Sequence, residues 1–238
     1  MHNLWGIFKV DFRVITAVLL AVAVVALCFS APYISSAYRR SAGRTVVIDA
    51  GHGGADGGVI GVRTGVKESD LNLAMSKIVG EYLESAGFNV VYTRKNEKGL
   101  YSALAANKKR DDMEKRAAII KRAEPAAVVS FHMNTYSSPA RRGAQVFFDG
   151  SSLQGKLLAE TVQDTLNREF NLPDTGREYS ALKAEKYILQ CSPYPTVIIE
   201  CGFLSNAIDE KNLTDSEYRA QFGYAVFGAL AAFLSVQA

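Results

Sequence analysis

Cysteine is scarce in this chain, with only Cys28, Cys191 and Cys201 among 238 residues. That is too few for a disulfide-framed scaffold, and no thiols are paired closely enough, with flanking ligands, to make a cysteine zinc site. Cys191 and Cys201 are left either as a single disulfide or as two separate buried thiols. Histidine is equally rare: beyond His2 there are only His52 and His132. Excess charge is missing too. The formal net charge is +3, and Lys9, Arg13, Arg39 and Arg40 set against Asp11 account for all of it. The chain beyond residue 40 is neutral, which excludes the basic face that nucleic-acid binding requires. There is no HExxH, no GxSxG and no phosphate loop. The glycine run GHGGADGGVIG does not meet the dinucleotide fingerprint, because Asp56 falls where the third glycine is needed. Internal repeats and low-complexity tracts are absent.

What is present begins with one long apolar run, Val14 to Ile34, without a charged residue and preceded by Lys9 and Arg13. About 20 such residues cross a bilayer as a helix, and cations on the N-terminal side place that end in the cytoplasm. An uncleaved membrane anchor and a signal segment cut near Ser35-Ser36-Ala37 are the two readings, with the length favouring the anchor. Cys28 is a poor lipid acceptor because Leu27 stands where a small residue is wanted. Either reading exports the rest of the chain: an anchor or signal at 1–34, a polar linker at 35–44 and one catalytic domain at 45–238.

Within that domain, short apolar strands alternate with helical periodicity. Strands are expected at Thr45–Asp49, Phe88–Thr93, Ala126–Phe131, Ala144–Phe148 and Thr196–Glu200. Helices are expected from Ser69, as cap, to about Ala86, then at Asp111–Ala123, Leu153–Phe170 and Tyr218–Leu234, with 95–110 a loop. This order implies an α/β fold, a single three-layer domain with a central, mostly parallel sheet flanked by helices. Hydrophobic residues make up 48% of the chain, enough to fill such a core.

His52 and His132 each come just after an expected strand, and Glu200 closes another. Ligands of open α/β sheets bind beyond the carboxyl ends of strands, so three distant segments converge on one rim. Glu68 stands just before the first helix, at the end of the glycine-rich loop that starts at His52, and that loop can return its carboxylate to the histidine. Two imidazoles and a carboxylate make a hydrolytic zinc site with one position open to water, and a further carboxylate is needed to move the proton. Each residue also has an ordinary reading. A histidine after a strand can be a hydrogen-bonded loop residue, Glu68 can complement a helix dipole, and Glu200 can pair with an arginine.

Together the segments VVIDAGHGGADGGVIG, Glu68, SFHMN and TVIIECGFLSN resemble the zinc-dependent N-acetylmuramoyl-L-alanine amidases of the amidase-3 family, over Thr45 to Leu234. The resemblance implies one Zn2+ per chain on His52, Glu68 and His132, with Glu200 as the catalytic acid and base. The implied substrate is peptidoglycan, cut between the lactyl group of N-acetylmuramic acid and L-alanine. Arg94 and Asn134 are the candidate substrate-orienting residues, and Arg94 is equally open to a structural reading. Ala50 departs from a common proline; Phe131, Met133 and Cys201 are further departures, and none removes a ligand. The short stretch from Asn134 to Gly143 has no room for the inhibitory helix of cell-division relatives, and no wall-binding repeat is appended. The KGLY loop at Lys98–Tyr101 and the apolar N-terminus resemble the spore-cortex, germination-specific subgroup. That implies a role in muramic-δ-lactam formation, with membrane and peptidoglycan as partners and no accessory protein legible. General wall turnover or cell separation, an inactive wall-binding protein and a zinc carboxypeptidase are the alternatives.

Overall fold

A computed structural model of the chain describes residues 15, 16, 18–22 and 44–236. The N-terminal unit, residues 1–40, is separate from the unit formed by residues 41–238. Most of the apolar run and the linker lie outside the described residues. Those described within the run are helical, with Ile15, Val18, Leu19, Leu20 and Val22 exposed.

The second unit is built on a six-stranded sheet. Its strands are β1 (Thr45–Ala50), β2 (Asn89–Tyr92), β3 (Ala127–Asn134), β4 (Gln145–Phe148), β5 (Leu182–Lys183) and β6 (Thr196–Phe203), in the spatial order β2-β1-β3-β6-β4-β5. β2, β1, β3 and β6 run parallel, while β4 is antiparallel to β6 and carries β5 parallel to itself. The central strands read as unbroken apolar runs because both faces are covered, as expected of parallel strands. Side chains alternate across the sheet. Val46, Ile48, Val129, Phe131, Val197 and Ile199 join the larger core cluster on one side, and Val47, Val128 and Ile198 join the smaller one on the other.

The larger cluster is covered by α1 (Glu68–Ser85), α3 (Leu153–Leu166) and the closing helix α7 (Ser216–Val236). The smaller is covered by α2 (Lys108–Ala123) and the short α5 (Tyr187–Gln190). Between them in the chain, α3 passes through a π turn at Asn167–Asn171 into the one-turn α4 (Leu172–Thr175), and α6 (Ala207–Thr214) precedes α7. α7 has the length and composition of a membrane span. It is a core helix all the same, burying Phe222, Val226, Leu230 and Phe233 in the larger cluster.

Several boundaries differ from the sequence reading. β3 continues to Asn134 and β6 to Phe203, so His132 and Glu200 lie within strands and are paired to each other in register. Glu68 is the first residue of α1 rather than a loop residue before it, and Ser69 is not its cap; Lys67 holds that position without a side-chain cap. α2 starts three residues early at Lys108, capped by the Asn107 side chain on Arg110 N–H. The short α5 and β5 and the helix α6 have too few residues to show a period. Residues 135–144 join β3 to β4 without a helix. Cys191 and Cys201 are free thiols on opposite faces of the sheet: Cys201 is buried in the larger cluster and Cys191 packs against the smaller, so no disulfide can join them.

Candidate metal centre

The site forms where β1, β3 and β6 present their carboxyl ends to one cleft. β1 ends at Ala50, and Gly51 N–H still bonds to the Phe131 carbonyl at 3.1 Å, so the β1/β3 ladder reaches the residue before His52. At His52 the chain turns sharply through φ 61°, in the left-handed region that L-residues rarely occupy. Carbonyls on this strained turn are held by two buried arginines. Arg94 Nε donates to the Ala50 carbonyl at 2.9 Å, and its Nη2 donates to those of Gly51 and Ser69 at 2.9 and 2.8 Å. Arg116 donates to the Ala50 carbonyl at 2.7 Å and to that of His52 at 2.6 Å. Arg116 is itself clamped by Asp49 and Asp112, each at 2.6 Å.

The glycine-rich loop then returns to α1. Val59 carbonyl accepts from Glu68 N–H at 2.8 Å, and Val59 N–H donates to Glu68 Oε2 at 2.8 Å. Gly57 carbonyl accepts from Ser69 N–H at 3.0 Å. The loop thus satisfies the free N–H groups at the helix start that a capping side chain would otherwise take. Gly58, at φ +67°, is needed here, because a Cβ would lie 2.4 Å from Glu68 Oε2.

Glu68 Oε1 is the point of convergence. His132 Nδ1 lies 2.9 Å from it and His52 Nε2 lies 3.2 Å from it, with the two rings edge to face at 5.0 Å. Met133 N–H and Asn72 Nδ2 also donate to it, at 3.1 and 3.3 Å. Burial opposes charge on Glu68, but the hydrogen bonds and charges of the two histidines hold it far below the usual carboxylate range. Burial likewise opposes protonation of His52, and the carboxylates of Glu68 and Asp56 outweigh it and raise its pKa. Asp56 Oδ2 sits 2.9 Å from His52 Nδ1 as an ion-pair contact.

One ligand atom from each of His52, Glu68 and His132 lies within 4.8 Å of the others, an arrangement able to hold a metal ion. Two nitrogens and one carboxylate oxygen suit zinc, and the contacts of 2.9 and 3.2 Å approach the edge of about 3.3 Å that a tetrahedron with zinc–nitrogen bonds near 2.0 Å would have. Glu200 lines the same cleft. Its Oε2 is buried with no hydrogen-bond partner. Burial, joined by the charge of Glu68, raises its pKa against the opposing histidines.

The cleft, about 910 Å³, also takes in Asn134 but not Arg94, which is 4% exposed and spends its guanidinium on backbone carbonyls. Sequence reasoning missed Arg116, Asp49, Asp112 and Asn72 as the frame of the site. The signal for Arg116 was its place on the apolar stripe of α2, beside Met113, Ala117 and Ile120, where a cation has no reason to be without buried partners.

Gly51 is packed directly against His132, and a Cβ there would sit 2.3 Å from His132 Cε1 and Nε2. Gly51→Ala is therefore expected to push the ring out of its position while leaving the sheet folded. NMR would show the His132 ring resonances displaced and the far-UV spectrum unchanged; unshifted ring resonances would refute the contact.

A family model described as N-acetylmuramoyl-L-alanine amidase matches residues 46–232. The germination-specific N-acetylmuramoyl-L-alanine amidase of Bacillus subtilis is 30% identical over 188 residues, which is 78% of this chain and 77% of that protein. The CwlD amidase of Clostridioides difficile, solved in complex with the GerS lipoprotein, superposes with a TM-score of 0.75 at 32% identity, over 81% of this chain and 99% of that one. The amidase AmiC2 of Nostoc punctiforme superposes with a TM-score of 0.69 at 30% identity, over 81% of this chain and 97% of that one.

Proposed function

Because this chain belongs to the N-acetylmuramoyl-L-alanine amidase family (amidase-3), whose hydrolysis frees the stem peptide from N-acetylmuramic acid in peptidoglycan, we propose that His52, Glu68 and His132 hold its zinc ion and that Glu200 moves the proton. The convergence of both imidazoles on one oxygen of Glu68 carries this reading. Zinc, when bound, polarises the lactyl carbonyl and makes a water acidic enough to ionise near neutral pH.

The remaining work falls to this chain's own residues. Glu200 accepts the proton of the attacking water and returns it to the L-alanine nitrogen as the carbon–nitrogen bond breaks. The burial that raises its pKa makes it a competent acid for the second transfer. Arg94 and Arg116 hold the His52 turn by its carbonyls, so that the first imidazole is preset. Asn134, where β3 shifts register against β6, orients the substrate along the cleft wall.

Chelation is expected to abolish cleavage of muramoyl peptides, and added zinc to restore it. Elemental analysis should find about one zinc per chain and far less in His132→Ala. Full zinc occupancy in that variant would remove His132 from the ligand set. Products with a free L-alanine amino group distinguish this amidase from a carboxypeptidase acting inside the stem.

We place the enzyme outside the cytoplasm, in keeping with its cell-wall relatives, with residues 1–34 as membrane anchor or signal and 45–238 as catalytic domain. The germination-specific relative, the KGLY loop and the superposition on CwlD support a role in the spore cortex. Cortex lacking muramic-δ-lactam is the result expected when the protein is removed, whereas a normal content would favour wall turnover. The lipoprotein bound to CwlD supports an accessory protein for this chain as well.

A further inference from the structure

The cleft contains charges that the reaction as described leaves unused. Of the five carboxylates lining it, Asp49 and Asp112 are held by Arg116, Asp56 and Glu68 by the histidines, and Glu200 is the one assigned to proton transfer. Its lysines are in a different position. Lys108 lies over the Tyr101 ring, 5.6 Å from its centroid. Lys109 and Lys186 line the cleft from two separate elements, the first turn of α2 and the residue before α5. Among the described residues no carboxylate comes within ion-pair distance of either. Their neighbours along the chain that share the cleft are Lys108, Asp112 and Met113 on α2 and Tyr187 and Ile188 on α5, and the one carboxylate among them, Asp112, is taken by Arg116. Lys186 is near enough to Glu200, and Lys109 to Asp56, for its charge to be felt there.

Lys109 is also badly placed for the helix it sits on. The first turn of a helix favours anions, yet α2 opens Lys108-Lys109-Arg110. Arg110 is offset by Glu114 at 2.7 Å, outside the cleft, and Lys109 has no such offset. A cation kept against the helix dipole at the wall of a cleft is placed for an anionic ligand.

The substrate carries anions beyond the cut bond. Beyond L-alanine the stem peptide continues through glutamate and, in many walls, a diamino acid, whose carboxylates are free in some peptidoglycans and carboxamides in others. We propose that Lys109 and Lys186 form a carboxylate-recognition subsite that makes this chain select stems with free carboxylates over amidated ones. The inference rests on the amidase reading and deepens it.

The test uses the full chain in detergent and two muramoyl stem peptides that differ only in carboxylate against carboxamide at the second and third residues. Wild type is expected to prefer the acid form by about tenfold in kcat/KM, through KM. Lys109→Ala and Lys186→Ala should each shrink the preference to about threefold, and the double variant should abolish it; the preference is read as the ratio of the two kcat/KM values, in which any change common to both substrates through Glu200 cancels. Arg110→Ala removes the same charge outside the cleft and should change neither substrate. Equal loss on both substrates, or a preference that survives the double variant, would overturn the subsite. If wild type cleaves neither substrate, the amidase reading fails, and calorimetric binding of the same two molecules still decides. Tighter binding of the acid form that disappears in the double variant supports the subsite; equal binding overturns it.

Discussion

Glu200→Gln is expected to lower kcat by about 10²–10⁴-fold, the range a positioned proton carrier contributes, while zinc content stays at the wild-type level. Glutamine has the same shape but cannot take a proton from water or return one to the leaving nitrogen. The carboxylate is buried, with Oε2 unpartnered and its charged form disfavoured by burial and by Glu68. Such a group costs stability in the resting protein. The variant should accordingly unfold at the same temperature as wild type or a higher one. Loss of activity with no loss of stability separates a chemical role from a structural one. Muropeptide cleavage at the wild-type rate by Glu200→Gln would remove it from the mechanism.

Breaking the Asp49–Arg116 pair should have the largest effect on stability. Both side chains are fully buried, and Asp49 also accepts from Thr93 Oγ1 and Ser130 Oγ at 2.6 Å each. Removing one partner leaves an uncompensated buried charge, so Asp49→Asn and Arg116→Met are each expected to cost about 3–5 kcal/mol, read as a fall in the urea midpoint. The pair also gives the protein an acid limit. Burial works to raise the Asp49 pKa, but Arg116, Ser130 and Thr93 together bring it down to about 2, from 3.8. A carboxylate with a depressed folded pKa contributes stability that is fully present above its unfolded value and is lost as pH falls through the folded one. Asp49 should therefore contribute about 2–3 kcal/mol at pH 5 and above, declining between about pH 4 and pH 2. In Asp49→Asn that part of the acid dependence should be absent; an unchanged acid profile would show that Asp49 is not its source. Because Arg116 also holds the His52 carbonyl, its loss should reach the His52 turn as well as the core.

Much of the site was legible because its residues follow strands whose apolar runs are unmistakable. TVVID, AAVVSF and TVIIE announce buried parallel strands, and polar groups at or just past their ends have few places to go except the sheet's rim. The frame around those residues was harder to read. Arg116 lies 67 residues from Asp49, and its role depends on α2 packing across β1, which no local pattern encodes. Arg94 could be substrate-facing or structural until the Ala50, Gly51 and Ser69 carbonyls were found around it. The ends of β3 and β6 were underestimated because the histidine and glutamate look like strand terminators in isolation. In the fold they continue the ladder, paired to each other.

The sequence by itself determined the α/β class, the central strands and the four long helices, and it singled out four polar residues as candidates for one rim of the sheet, because apolar period and residue chemistry are local properties. The tertiary structure alone decided that both imidazoles meet on one oxygen of Glu68, that β4 turns antiparallel beside β6, that two arginines hold the strained His52 turn, and that Cys191 and Cys201 are kept apart by the sheet. Those outcomes depend on which distant segments share a face and a register, and that is set by packing the whole core at once.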